Sequence, residues 1–487
     1  FYGESESRIL GRNEDDNELG SVSEDEIRCT KLGLSENIVA YKERRELTRE
    51  IELVTCSDVL SENVISNYVI VKNIISKLPW QDKMMCKHVC TLWRSIVHML
   101  QKEQLAPADF VINLRICSIR HGIKFMKSSN FNTEPLVVFT FANTSGFAIT
   151  SKCEVLKNTY YPIIHLTVKR VCINFSVIDV VNQQVAAPKN CMYTVKASYL
   201  SYMPLPTSIT SEHIITRQMF ARSNPFIGGI YIPKIPNVEF QVINIKSDNE
   251  LQKEFYEVVD KLAQTRIVKG VLVYVTESYL LHSVEDIVFL NHFKEIQPYI
   301  PYALGGCIVE DTISEQSDIA QIVDGLNEGK DFVTENLISI GLFTIPKTEG
   351  EGNQQDNPNN FDVYSLIVDS SDWAKVKIQS TINEFSQKVP RFEHSVALKL
   401  SCIGRDLKHE LEQDYFRAAF PNTRLVGCYG NGELGVNHPV RPPPEETLNS
   451  AKRHRRDPGP QFGIMYSYST VFVYIGWGKI LSQPESN

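Results

Sequence analysis

The chain has 487 residues, 43% of them hydrophobic, and carries a formal charge of −8 at pH 7. That length and apolar content support two or three domains with real cores. The acidic balance argues against a general nucleic-acid binder, which would be basic, and the longest apolar runs, such as 136–142, fall far short of a membrane span. No secretory signal is read at the start. The eleven cysteines are odd in number and scattered, no Cys-x-x-Cys pair occurs, and Cys86 with Cys90 is the closest spacing. This usage predicts reduced thiols in the cytoplasm or nucleus, with no disulfide framework, no metal site and no bound cofactor.

Residues 1–60 open with nine Asp/Glu against three Arg in the first 28 positions. Such a segment buries too little apolar surface to offset its ordering entropy, so it is expected to be disordered, with a short charged helix around 41–53. A compact helical unit follows over 61–110. Asn67 is placed to cap a helix carrying Ile70, Val71, Ile74 and Ile75. Pro79 ends it and Asp82 is expected to cap the next. Met85, Val89, Leu92, Trp93, Ile96, Val97 and Leu100 then form one apolar stripe, wider than two short helices can bury.

From about 110 onward strands alternate with helices. Residues 271–275 read as a strand, 284–293 as a helix, and 302–304 as a strand running into Gly305, Gly306 and Cys307. Val396 to Cys402 alternates strictly between faces. A helix over 408–420 stops at Pro421, and a strand at 424–426 runs into Gly427 and Cys428. The two stretches share a strand–helix–strand–Gly-Cys plan, either a diverged duplication or two similar units of independent origin. Residues 150–190 resist placement. Residues 346–361 read as a surface loop, and 438–460, with three consecutive prolines and Lys452 to Arg456, as an exposed basic linker or a nuclear-import signal.

Several residues here suit ligand chemistry. Gly427, Gly430, Gly432 and Gly435 permit positive φ and close approach to backbone N–H groups, which fits a carboxylate or phosphate, although Gly-x-Gly also fits a tight turn. Asn431 and Glu433 are suited to an ammonium or amide, and Arg405 to an anion. Cys402 precedes Gly404 and a helix start, where the dipole and Arg405 would lower a thiol pKa. Its place on the Val396, Leu398 and Leu400 face fits a buried structural thiol equally. No His-Glu-x-x-His, Walker loop or Gly-x-Ser-x-Gly is present, so a catalytic role is not expected.

Ile74, Leu78, Pro79 and Asp82, followed by Val89, Cys90, Trp93 and Arg94, resemble the F-box, with Ser66-Asn67 standing where that family opens on Leu-Pro. The resemblance implies docking on a Skp-type adaptor, and through it a cullin–RING scaffold, by Ile74, Leu78, Pro79, Val89, Cys90 and Trp93. Leu400 to Arg405 and Gly427 to Gly435 are similar to the FIST C-terminal signature, and Ala303 to Gly306 to the Gly-rich strand end of the FIST N-terminal half. That family's modules are α/β sensors of small ligands such as amino acids. The implied fold is α+β: an F-box at 61–110, then a two-part α/β body, FIST N-terminal-like over 111–345 and FIST C-terminal-like over 360–480. The implied function is a substrate-recognition subunit of an SCF-type ubiquitin ligase, recruiting protein substrates for degradation. The alternative is a small-ligand sensor or Cys-dependent module, with Cys402, Gly404, Arg405, Gly427, Asn431, Gly432 and Glu433 as its pocket.

Overall fold

The computed structural model describes residues 63–113, 125–147, 150–158, 168–176, 191–208, 226–247, 252–280, 289–314, 333–347, 357–369, 373–440 and 465–482, with a few isolated positions in 181–210. The acidic segment 1–60 and its expected helix, most of the 346–361 loop and most of the basic 438–460 insert lie outside these residues. The fold is α+β, with helices and three mixed sheets.

The helical unit begins as its sequence predicts. Asn67 accepts hydrogen bonds from the backbone N–H of Val69 at 3.0 Å and Ile70 at 3.2 Å, capping α1 (Tyr68–Ser76). Two details differ. Pro79, not Asp82, holds the N-cap position of α2 (Trp80–Cys86); Asp82 lies in the first turn, where its charge still suits the helix's positive end. The long stripe is also broken, because Cys90 is extended (φ −159°, ψ 174°) and starts α3 (Thr91–Glu103), its Sγ accepting from Trp93 N. Val89, Cys90 and Thr91 are consecutive weak helix formers, and a polar atom at the break satisfies a free N–H more cheaply than continuing the helix. Val71, Ile75, Ile96, Val97 and Leu100 form the unit's own core.

The unit is fastened to the body. Lys83, 2% exposed, donates to Gln104 Oε1 at 2.6 Å and to the Asn132 carbonyl at 2.9 Å. Gln104 in turn donates to the Ser76 carbonyl at 3.1 Å, and the buried Trp477 indole donates to the Leu105 carbonyl at 2.8 Å.

The body contains one plan three times. The first copy comprises β1 (Ala108–Asn113), β2 (Phe125–Lys127), β3 (Pro135–Ala142), the paired ribbon β4 (Thr150–Asn158) and β5 (Val168–Ser176), β6 (Met192–Lys196), β7 (Tyr199–Met203) and β8 (Phe226–Pro233). The second comprises β9 (Glu239–Ile245), α4 (Glu257–Thr265), β10 (Arg266–Thr276), α5 (His292–Ile296), β11 (Ala303–Val309), β12 (Asp311–Ile313) and β13 (Ile338–Pro346). The third comprises β14 (Phe361–Val368), α6 (Lys375–Lys388), β15 (Arg391–Cys402), α7 (His409–Ala419), β16 (Arg424–Gly430), β17 (Glu433–Val436), β18 (Met465–Tyr466) and β19 (Thr470–Ser482). In each, the second strand lies parallel to the third (β3/β6, β10/β11, β15/β16). The last strand is antiparallel to the second (β8, β13, β19) and pairs on its other side with the first (β1, β9, β14).

A short strand after the third then crosses to a neighbouring copy: β7 pairs with β16, β12 with β6, and β17 with β11. The crossing goes from the first copy to the third, the third to the second and the second to the first, so the ring closes. The registers coincide: Val195 opposes Thr312, Cys307 opposes Glu433, and Cys428 opposes Leu200. The strand–helix–strand plan legible at 271–307 and 396–428 is therefore two-thirds of a triplication. The expected two-part body is corrected to three copies, the first of which carries Val195 where the others carry cysteine. The expected helix at 284–293 is also shortened to α5, preceded by a single tight turn at 289–291, with 284–288 outside the described residues.

Strands of all three copies are buried on both faces, so β8, β11 and β14 show no solvent alternation. A central core draws on all three sheets, and further cores lie under α4 with α5 and under α6 with α7. Gly427 is fixed by this packing: a Cβ there would meet the Lys399 carbonyl oxygen at 1.8 Å, whereas one at Gly404 would meet only the Tyr468 ring at 2.7 Å. Gly427→Ala is expected to destabilise by about 3 kcal/mol and Gly404→Ala by under about 1.5 kcal/mol, read from urea midpoints.

Candidate functional site

Two regions hold the residues that the sequence singles out. The first is the outer face of the helical unit. Helix α1 is apolar on opposite sides: Val71 and Ile75 are buried, while Val69, Ile70 and Ile74 are 71%, 41% and 51% exposed. Ile65, Tyr68, Met85 and Val89 add to that exposed set. Of the adaptor-docking residues, Ile74, Pro79, Val89 and Cys90 are exposed, and Leu78 and Trp93 are half-buried. Trp93 donates its indole N–H to the Ile65 carbonyl at 3.3 Å, which fixes the ring at the edge of the face. The break between α2 and α3 places Val89 on a turn, where it faces solvent instead of continuing the α3 stripe.

The second region is a buried charged cluster in the third copy, between β15, α7 and β17. Glu412, fully buried, accepts from Arg405 Nε at 3.0 Å and from Arg405 Nη2, from Thr470 Oγ1 at 2.7 Å, and lies 3.5 Å from Lys399 Nζ. Arg405 Nη1 also donates to the Tyr468 carbonyl, and Lys399 to the His409 carbonyl at 3.1 Å. Thr470 shares a further hydrogen bond with Ser401 at 2.6 Å. Burial pushes the Lys399 amine down to about 8 even against the attraction of Glu412. Burial pushes the His409 imidazole down to about 3, helped by Lys399 and Arg405, so this ring is neutral; it packs edge-on against Tyr429 with centroids 4.2 Å apart.

Glu433 sits beside this cluster. It is fully buried and accepts from Ser469 N at 3.1 Å and Ser469 Oγ at 2.8 Å through one oxygen, while its other oxygen has no protein partner. Burial pushes its carboxyl up to about 8, against the hydrogen bonds from Ser469 and the charge of Arg405. The Cys402 thiol is raised, first by burial and then by Glu433, against the opposing amides of Gly404 and Tyr468.

The ligand-pocket expectations are corrected by this geometry. Arg405 is 2% exposed and committed to Glu412, so it does not face an anion. Cys402 is 7% exposed with a raised pKa, which is the structural reading of that thiol; burial and a neighbouring carboxyl outweigh the helix start. Gly427, Gly430, Gly432 and Gly435 have ordinary negative φ, and the only described glycine with positive φ is Gly478. Gly427, Gly430 and Gly435 serve close packing, and the Gly432 carbonyl accepts from Ile308 N at 2.9 Å. Asn431 is exposed and donates to Glu277 at 2.6 Å, across a boundary between copies. Glu433 is thus gathered with Cys402 and Arg405, while Gly427, Asn431 and Gly432 belong to strand packing.

Lys399, Glu412, Thr470 and Tyr429 were not anticipated from sequence. One signal was available: His409, Glu412, Gln413, Phe416 and Ala419 recur at helical spacing and are all buried, so a glutamate on that stripe marks a buried carboxylate in need of a partner. Among the described residues, no group of three or more His, Cys, Asp or Glu side chains could hold a metal ion, and no helix is long and apolar enough to cross a membrane.

No family model and no curated protein matches the chain. Among solved structures, a cyanuric acid hydrolase from A. caulinodans is similar at 7% identity and a TM-score of 0.26, over 70% of this chain and 90% of that one. A likeness that weak bears on neither fold nor activity.

Two outcomes follow. Because Glu433 has its folded-state pKa raised to about 8 from 4.5, its contribution is fully present below pH 4.5 and is lost as pH rises through 8. Glu433→Gln should flatten the fall in stability across that window, measured as unfolding free energy against pH. Alkylation of the folded chain by iodoacetamide at neutral pH should label Cys90, which is exposed, and spare Cys307, Cys402 and Cys428, which are buried. Labelling of Cys402 as fast as Cys90 would contradict the structural reading.

Proposed function

We propose that the chain is the substrate-recognition subunit of an SCF-type ubiquitin ligase. Its helical unit acts as an F-box that docks on a Skp-type adaptor, and the three-copy body presents protein targets for ubiquitination in the cytoplasm and nucleus. The observation that carries this reading is the solvent-facing set Ile65, Tyr68, Val69, Ile70, Ile74, Met85 and Val89. Seven large apolar side chains on one small helical unit form a surface that water disfavours and a partner's hydrophobic groove would cover. Each contributes roughly 1–2 kcal/mol when removed from water. The F-box-like residues Ile74, Leu78, Pro79, Val89, Cys90 and Trp93 lie on or beside this surface. In this reading the chain is a non-catalytic adaptor, and the transfer chemistry belongs to other subunits. The FIST-like sensor reading is disfavoured by the burial of Cys402, Arg405 and Glu433.

The test is binding of the full chain to a purified Skp-type adaptor. Ile74→Glu combined with Met85→Glu should weaken binding by about 100-fold, since two charges would have to be desolvated. Both positions are exposed, so the melting temperature of the free chain should not change. Failure of the wild type to bind, or equal binding by the double variant, would overturn the assignment.

A further inference from the structure

We infer that a groove at the seam between the helical unit and the body is the docking site for an acidic linear peptide of the target protein; this rests on the substrate-recognition reading above. The groove has a volume of about 530 Å³, within the range that holds several side chains. One wall comes from α2 and α3, and the other from the segments around residues 133–134 and 234–239. It shares no residue with the apolar face assigned to the adaptor, so both can be occupied together.

Its floor is apolar, formed by Met84, Ile235, Pro236 and Val238. Its charges are unbalanced. Glu134 is engaged by Lys234 at 3.4 Å, and Glu239 by Arg266 at 3.0 Å. Lys87 and Lys102 remain, with no carboxylate at ion-pair distance among the described residues, and His98 stands on the same wall. Lys87 is further crowded: burial lowers its pKa, and Lys234 adds to this against the pull of Glu134. An incoming carboxylate would relieve both effects.

The body-side lip is held in shape before any ligand arrives. Asn237 adopts a left-handed φ of 64°, a conformation costly for most residues and tolerated by Asn. It is pinned by Arg266 Nη2, which donates to the Asn237 carbonyl at 2.9 Å, and the lip is anchored again where Lys234 N donates to the Glu134 carbonyl at 2.8 Å. A preformed lip lowers the ordering cost of binding an extended segment. Apolar floor and lysine rim together select a peptide that alternates acidic and apolar side chains.

The experiment uses the full chain and two fluorescein-labelled peptides, one alternating Asp with Leu and one alternating Lys with Leu, read by anisotropy. The Asp–Leu peptide should bind at least about tenfold more tightly than the Lys–Leu peptide, and Lys87→Glu with Lys102→Glu should reverse that order. No binding of the Asp–Leu peptide by wild type, or the same preference in the double variant, overturns the proposal. Adaptor binding separates the two readings. The groove variant should keep it, and the Ile74→Glu, Met85→Glu variant should keep the peptide while losing the adaptor.

Discussion

A four-stranded sheet ends in rows of unpaired N–H and C=O groups, and in this body each copy covers one such row with a strand from a neighbour. The exchanged strands β7, β12 and β17 hold the three copies in a closed ring. An edge that is paired neither aggregates nor demands water inside the core. The ring is stiffened where copies meet. Asp109 on β1, 1% exposed, receives Arg424 of β16 at 2.6 Å, Thr210 at 2.8 Å and Tyr202 of β7 at 2.5 Å. Glu310 receives Thr144 and Ser198 of the first copy, and its own N–H donates to the Lys196 carbonyl at 3.0 Å. Removing one crossing strand would expose an edge and leave these buried polar groups unpaired together, so the three copies stand or fall as one cooperative unit.

Within that ring the third copy alone carries the Lys399, Arg405 and Glu412 cluster. At the position of Lys399 the parallel registers place Val273 in the second copy and Thr140 in the first. Two cations around one fully buried carboxylate are expensive to desolvate, and a well-packed apolar substitute would serve stability as well or better. What the cluster adds is geometry: Glu412 joins α7 to β19 through Thr470, and Arg405 joins the turn after β15 to the Tyr468 carbonyl. These bonds have few alternative arrangements, whereas the surrounding Phe416, Phe420 and Phe472 stack could slide with little penalty.

Much of this was legible in the sequence where local rules decide. The cap at Asn67, the strands at 271–275 and 396–402, and the helix stopped by Pro421 follow from side-chain oxygens, β-branched runs and a missing N–H. The first copy was illegible because it lacks the α4- and α6-like helices between its first two strands and has Val195 in place of the Gly-Cys cysteine. Strand exchange is equally silent, since Ser201, Thr312 and Leu434 pair with partners more than a hundred residues away or in another copy. The glycines at 427–435 misled for a physical reason: glycine marks close backbone approach as readily as a ligand cradle, and only the neighbouring strand tells the two apart. Cys402 and Arg405 were likewise ambiguous, because burial decides a thiol's pKa and depends on the whole sheet.

The attachment of the helical unit bears on how such a molecule could work. Lys83 is buried with carbonyl oxygens as its described partners, and burial lowers its amine to about 8. A buried amine without a carboxylate contributes little to stability, yet it accepts only the arrangement in which Gln104 and Asn132 both reach it. Trp80, half-buried, packs against the core of the first copy, and its N–H donates to the Phe131 carbonyl at 3.1 Å. The link between unit and body is therefore made of directional bonds and ring packing with no extended linker: the unit ends at Glu103 and β1 starts at Ala108. A partner on the outer face of α1 would consequently hold the body at a set distance and angle. For a protein whose task is to present one molecule to another, that rigidity converts docking at one end into positioning at the other.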